Sequence, residues 1–195
     1  MDLKEIENVL KFMVEIEKLK NVHRKTKPVG LDRYENSAEH SWHVSISAVM
    51  LKDFANEEID IDRVIKMLLI HDLGEIDGGD KIIYQSESKE QKGKEAEGLQ
   101  RVLGLLSDNV KQEEYMDLYL EFESGETPDS KFARAVDRVP PLLHNLYSEG
   151  HTWKKHNITK EQVFSVNSRI NEGSRELWQS IKLKLEEAVE KGILK

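Results

Sequence analysis

The chain has 195 residues, of which 29 are basic and 37 are acidic, so its formal net charge is −8. A surface of this sign repels nucleic-acid phosphates over most of its area, and we expect no nucleic-acid polymer as a partner. The chain contains no cysteine, which excludes disulfides, thiolate metal sites and a cysteine nucleophile. Any transition metal would therefore have histidine and carboxylate ligands.

The length and the apolar pattern predict a single domain over residues 1–195. Residues 1–20 alternate charged and apolar side chains and lack the uninterrupted apolar core of a signal peptide. No later segment approaches the length that crosses a bilayer. We predict a cytoplasmic protein that does not enter a membrane.

The first half of the chain has three helical patterns. Apolar residues in 1–20 recur at helical spacing, which predicts an amphipathic helix. Ser37 followed by Glu39 predicts the start of a second helix that continues to residue 54. A third helix is predicted over 64–73, with Asp60 or Asp62 as its cap.

The second half begins with a predicted loop over 74–88, which contains two adjacent glycines and few periodic apolar residues. Thr127 before Pro128 is typical of a helix start, and Pro140 and Pro141 should kink or restart that helix just after Asp137. Strand signals are nearly absent, so we predict an all-α helical bundle. Its later helices are predicted over 89–106, 108–123, 128–149 and 160–191.

Four ionisable residues lie beside apolar helical residues: His40, the pair His71 and Asp72, and Asp137. Burying an unpaired imidazole or carboxylate there would cost several kcal/mol, whereas one shared divalent cation compensates all four groups. Two imidazoles and two carboxylates suit one ion of Mn, Co, Fe, Zn or Ni, and suit Mg less well. The pattern therefore predicts a metal site.

Each of these residues taken alone has an ordinary structural explanation. A histidine at a helix start is commonly hydrogen-bonded in the core, and Asp137 could pair with Arg134 or Arg138. His43 lies three residues after His40, at ligand spacing, although a place in the core or behind the ligands is favoured for it. The joint pattern, rather than any one residue, favours the metal site.

Three segments in order resemble the HD-domain superfamily, and within it the 5′-deoxynucleotidase branch that is sometimes described as oxetanocin-like. They are Ala-Glu-His-Ser-Trp-His-Val at 38–44, His-Asp-Leu-Gly-Glu at 71–75 followed by Gly-Asp at 79–80, and Val-Asp-Arg at 136–138 followed by Pro140. The resemblance extends from the first helix to about Tyr147. It implies a single HD domain with a metal-binding core over about 20–147 and a C-terminal helix over about 160–191.

The resemblance also implies roles for individual residues. The implied metal ligands are His40, His71, Asp72 and Asp137, and the implied acids around the scissile phosphate are Glu75 and Asp80. Spacing supports Glu75 independently, because a helix that continued past His71 and Asp72 would keep it on the metal side. Arg24 is the implied phosphate clamp, since the family places an arginine near the end of the first helix; nearby alternatives are Lys25, Lys27, Arg33 and Lys81.

One position departs from the family pattern. The family's nucleotidases follow that arginine with a tryptophan that crowds the 2′ position of the sugar, whereas this chain has Lys25 there. The choice between deoxyribo- and ribonucleotides therefore stays open, with Trp42 or Tyr34 as side chains that could replace the missing ring.

The leading hypothesis is a metal-dependent phosphohydrolase that releases phosphate from (deoxy)nucleoside 5′-monophosphates. A second hypothesis is an HD hydrolase of nucleoside triphosphates, or of cyclic or alarmone phosphodiesters, with the same ligands and a different pocket. A third is a helical sensor in which the metal only stabilises the fold. Related proteins tend to dimerise, so the resemblance implies a homodimer, and the apolar positions on the first and last helices could serve an interface as easily as a core.

Overall fold

The computed structural model describes residues 3–84 and 89–195, without the side chains of 89–92. Within these residues every regular element is a helix, and one isolated bridge joins His23 to Asn36. The prediction of an all-α fold is confirmed. The helices are α1 (Leu3–Ile16), α2 (Ser37–Leu51), α3 (Ile61–Ile70), α4 (Glu75–Gly78), α5 (Lys89–Leu103), α6 (Asn109–Ser124), α7 (Pro128–Asp137), α8 (Val139–Tyr147), α9 (His151–His156), α10 (Lys160–Asn167), α11 (Ile170–Gly173) and α12 (Arg175–Glu190).

The first two helices end in short 3-10 segments, Glu17–Asn21 after α1 and Lys52–Phe54 after α2. The cap of α2 is Asn36 rather than the predicted Ser37. The Asn36 side chain accepts a hydrogen bond from the Glu39 amide, and the Glu39 carboxylate accepts one from the Asn36 amide. This reciprocal pair satisfies two backbone donors that have no partner inside the helix.

The third helix lies three residues earlier in the chain than predicted, and it does not continue to Glu75. α3 begins after the cap Asp60 and ends at Ile70, and a tight turn containing His71 and Asp72 leads into α4. Part of the predicted loop over 74–88 is therefore helical, residues 79–84 have no helix, and residues 85–88 lie outside the described residues. The break at the turn places both ionisable side chains at a helix end.

The later helices are also more divided than predicted. Thr127 caps α7 with Pro128 in the first turn, as expected, and the chain breaks between Asp137 and Val139 before the prolines of α8. The helix predicted over 160–191 is three helices, and α9 was not predicted. Ser174 explains one of these breaks, because it is extended and its side chain caps α12.

Two buried apolar clusters form the core. One joins α2, α3, α5, α6 and α7, with Met67, Leu68 and Phe132 fully buried. The other surrounds Trp153 and connects α7 and α8 to the C-terminal helices. In the described residues no helix is both long enough and apolar enough to cross a membrane.

Candidate metal centre

Two extended segments pair beside the N-terminus of α2. The Arg24 amide donates to the Glu35 carbonyl at 2.8 Å, the Glu35 amide donates to the Thr26 carbonyl at 3.0 Å, and the Ser37 amide donates to the Val22 carbonyl at 3.0 Å. These bonds bring the side chains of Arg24 and Glu35 to the start of the helix that carries His40.

Three of the predicted ligands meet in the centre of the bundle. Nε2 of His40 lies 2.8 Å from Oδ1 of Asp137, and Nε2 of His71 lies 3.4 Å from the same oxygen. One donor atom from each of these three residues lies within 4.8 Å of the others. The fourth, Asp72, has Oδ1 at 3.1 Å from Nε2 of His71. Helices α2 and α7 and the turn after α3 thus converge on one point.

The protonation of His71 fits a cation at that point. Nδ1 lies 2.8 Å from the Leu68 carbonyl, so it carries the proton and leaves the lone pair on Nε2. Nε2 is buried and has no hydrogen-bond partner. A buried nitrogen lone pair facing two carboxylates is the arrangement that a divalent cation satisfies.

The charges of the cluster depend strongly on one another. Burial acts to lower the pKa of His71, but the carboxylates of Asp72 and Asp137 outweigh burial and raise the pKa to about 9. Burial acts to raise the pKa of Asp137, but the hydrogen bond from His40 and the nearby imidazole of His71 hold that pKa well below its ordinary value. Without a cation, a proton on His71 therefore adds to the charge of Arg24 in balancing the carboxylates.

Arg24 lies against the outer side of this cluster. Its Nη1 donates to Oδ2 of Asp72 at 2.9 Å and lies 3.5 Å from Oδ1 of Asp80, and its Nε lies 3.3 Å from Oε2 of Glu35. Burial acts to lower the pKa of Arg24, but these carboxylates raise it overall, so the side chain stays cationic. These three carboxylates hold the guanidinium at the edge of the candidate metal site.

The two predicted acids lie close by, each with a raised pKa. Burial, reinforced by the charge of Asp72, raises the pKa of Glu75 well above its ordinary value, although Ser37 donates a hydrogen bond to Oε2 of Glu75 at 2.6 Å. Burial raises the pKa of Asp80 to about 6, against the opposing charge of Arg24. Both groups can therefore hold a proton near neutral pH.

A cavity of about 540 Å³ opens beside these groups. Asp137, Asp80, Arg24 and Lys25 form its polar side, and its apolar side includes Ile82, Tyr84, Pro141 and Leu142. Neither Trp42, whose surface is 67% exposed, nor Tyr34 lines the cavity.

Glu35 was not predicted from the sequence. Its side chain is 2% exposed, and Oε2 lies 3.6 Å from Nδ1 of His40 as well as 3.3 Å from Arg24. His43 and His144 join Glu35 in a second group of donor atoms, apart from the ligand cluster. His43 belongs to this second group and not to the group of His40, His71 and Asp137. A glutamate just before a helix cap has no distinctive local pattern, so only the fold identifies it.

Comparison with protein families gives a match to the HD domain over residues 16–178. A 5′-deoxynucleotidase of Xenopus laevis is 30% identical over 148 residues, which are 73% of this chain and 70% of that protein. A 5′-deoxynucleotidase of Schizosaccharomyces pombe is 30% identical over 113 residues, which are 56% of each chain.

Among solved structures, a predicted metal-dependent phosphohydrolase from Magnetospirillum magnetotacticum MS-1 superposes with a TM-score of 0.91. The two chains are 41% identical, and the match covers 98% of each. The similarity therefore includes the C-terminal helices as well as the segments around the site.

Proposed function

Because this chain belongs to the HD-domain family of metal-dependent phosphohydrolases, we propose that it releases phosphate from (deoxy)nucleoside 5′-monophosphates. The observation that supports this most directly is the convergence of His40, His71, Asp72 and Asp137 beside a held arginine. Relatives named 5′-deoxynucleotidases support the substrate class.

Membership of the family implies a divalent metal, and we propose that these four residues hold it. Their donor set suits Mn, Co, Fe, Zn or Ni better than Mg, which prefers an all-oxygen environment. When bound, such an ion polarises the phosphoryl group and lowers the pKa of a coordinated water.

Arg24 binds the phosphate in this proposal. Its guanidinium borders the cavity, and because Nε and Nη1 contact carboxylates, Nη2 is the nitrogen left to donate to a phosphate oxygen. Glu35, Asp72 and Asp80 hold it in place before the substrate arrives, so little side-chain entropy is lost on binding.

Glu75 and Asp80 handle protons. A phosphate monoester loses its 5′ oxygen more readily when an acid donates a proton to it. The raised pKa values of both carboxyl groups suit that task, and Asp80 additionally lines the cavity. The apolar side of the cavity, around Tyr84 and Leu142, would accommodate the nucleoside.

The decisive experiment measures phosphate release from ribo- and deoxynucleoside 5′-monophosphates, with metal-free protein reloaded with Mn, Co, Zn or Mg. We expect release with a transition ion and its loss in Asp72→Ala. Tripolyphosphate from nucleoside triphosphates, or ring-opened product from cyclic substrates, would favour the other HD hydrolases. If no substrate is hydrolysed with any metal, the remaining hypothesis is the helical sensor in which the metal only stabilises the fold.

We also propose that the protein is a homodimer in the cytoplasm. Apolar side chains exposed on α1 and on one side of α2 offer a surface for a second copy; they include Leu3, Leu10, Val14, Trp42 and Met50. We expect light scattering to give twice the chain mass, and Leu10→Glu with Met50→Glu to give monomers. Cell fractionation tests the location.

A further inference from the structure

Three cationic side chains lie along one face of α7. Lys131, Arg134 and Arg138 follow one another at intervals of three and four residues, which places them on the same side of the helix. α11 packs against α7 so closely that a Cβ on Gly173 would lie 2.3 Å from the Lys131 carbonyl oxygen. This close packing brings Arg169, just before α11, to the same face.

These residues line a pocket of about 320 Å³, which we call the basic pocket: Ser124, Gly125, Lys131, Arg134, Arg138, Arg169 and Glu172. It contains four cations and one carboxylate, although the whole chain has more acidic than basic residues. The basic pocket is therefore locally positive on a chain whose net charge is negative.

The charge in the basic pocket is poorly compensated by the protein itself. Among the described residues, no salt bridge within 4.0 Å involves Lys131, Arg138 or Arg169. Arg134 donates to the carbonyls of Phe122 and Glu123, at 2.9 and 2.5 Å, and carbonyl groups do not cancel its charge.

Arg138 is the buried member of this group. Its surface is 9% exposed, and its Nη1 is buried without a hydrogen-bond partner. Arg138 shares the basic pocket with the guanidinium groups of Arg134 and Arg169. A buried guanidinium with an unsatisfied donor and like charges around it is costly unless an anion binds there.

We propose that the basic pocket is a phosphate-binding site, separate from the metal centre, that takes inorganic phosphate or the phosphoryl group of a small ester. Three guanidinium groups and an ammonium match the charge and the oxygens of a phosphate. The small volume of the pocket and the burial of Arg138 favour a compact anion over an acidic peptide. Arg138 also borders the cavity at the metal centre, so the two sites share a wall.

The test is calorimetric titration of the full chain with inorganic phosphate, and in parallel with a non-hydrolysable nucleoside 5′-phosphonate, at an ionic strength fixed with sodium chloride. We expect saturable binding that Arg169→Gln weakens about tenfold or more, because one charge-assisted contact is lost. Arg169 is exposed, so its replacement should leave the fold intact. The tighter of the two ligands identifies the natural source of the phosphate.

Two further variants decide where the anion binds. Arg175→Gln removes an equally exposed arginine outside the pocket and should bind as the wild type does. Arg24→Gln should still bind phosphate at the basic pocket, whereas Arg169→Gln should bind it there more weakly. Binding that is lost in Arg24→Gln and unchanged in Arg169→Gln would place the phosphate at the metal centre and overturn the proposal, as would no saturable binding at all. Phosphate release by the wild type is measured separately, so the proposed hydrolase activity can fail or succeed independently.

Discussion

Glu35 holds Arg24 through Nε at 3.3 Å, and the backbones of the same two residues are joined by a 2.8 Å hydrogen bond. The other side of this carboxylate faces Nδ1 of His40. One buried group therefore orients both the proposed phosphate clamp and a proposed metal ligand.

Glu35→Gln should weaken both functions while keeping the shape of the side chain. Replacing a carboxylate behind a ligand histidine typically lowers metal affinity or activity about 10- to 100-fold. We expect a loss in this range in metal titrations and in kcat/KM, with little change in the melting temperature of the metal-free protein. Glu57→Gln, which removes an exposed carboxylate, is the control. Unchanged metal affinity and turnover would mean that Glu35 only fills space.

Removing the metal should lower the melting temperature of the wild type. Adding or removing the metal should change the melting temperature of Asp137→Asn very little. A ligand that binds only the folded state at 100 times its Kd adds about 2.7 kcal/mol. For a chain of this size that raises the melting temperature by about 5–10 °C. Thermal unfolding with chelator, and then with added Mn or Zn, measures the difference. An equal metal-induced rise in Asp137→Asn would remove Asp137 from the ligand set.

Ser37→Ala should change the pH profile by deleting the hydrogen bond to Glu75. That bond lowers the pKa of Glu75, so its loss raises the pKa further. A proton donor is active below its pKa, and the alkaline limb of kcat should therefore move to higher pH. If only the acidic limb of the kcat profile moves, Glu75 acts as a base instead. An unchanged profile would mean that Asp80, rather than Glu75, donates the proton.

Lys25→Trp should increase the preference for deoxyribonucleotides. Lys25 borders the cavity, and neither Trp42 nor Tyr34 does, so we expect the wild type to accept both sugars. A ring that crowds the 2′ hydroxyl should lower kcat/KM for ribonucleotides about tenfold. Parallel kinetics on dAMP and AMP measure this, with Lys20→Trp as an exposed control away from the cavity. A strong deoxy preference in the wild type would show that another group excludes the hydroxyl.

Gly98→Ala should destabilise the contact that supports the turn before Glu75. A Cβ at Gly98 would lie 2.7 Å from the Gly74 carbonyl oxygen, so α5 and the turn would have to separate. Overpacking of this kind costs about 1–3 kcal/mol. Gly93→Ala, in the same helix with no atom within 4 Å, should instead stabilise by about 1 kcal/mol. Denaturant unfolding compares the pair, and equal effects would argue against a packing role.

Helix positions were largely predictable because apolar periodicity and caps are local. Thr127 with Pro128, and Asp60, mark helix starts by short-range chemistry. The helix breaks at 71–74 and at 168–174 were missed, since the residues on both sides favour a helix and the break depends on packing. Gly74 and Gly173 illustrate this, because each meets the backbone of another helix too closely for a side chain.

The sequence by itself determined which chemical groups are present: two imidazoles, several carboxylates and an arginine in an order that resembles the HD domain, with no thiolate among them. Only the tertiary structure decided that Asp72, Asp80 and Glu35 hold Arg24, and that Arg169 joins the cations of α7. The physical reason is the separation along the chain over which each effect acts. Composition and periodicity act within a few turns of helix, whereas these contacts join residues far apart in the chain and depend on how closely whole helices approach.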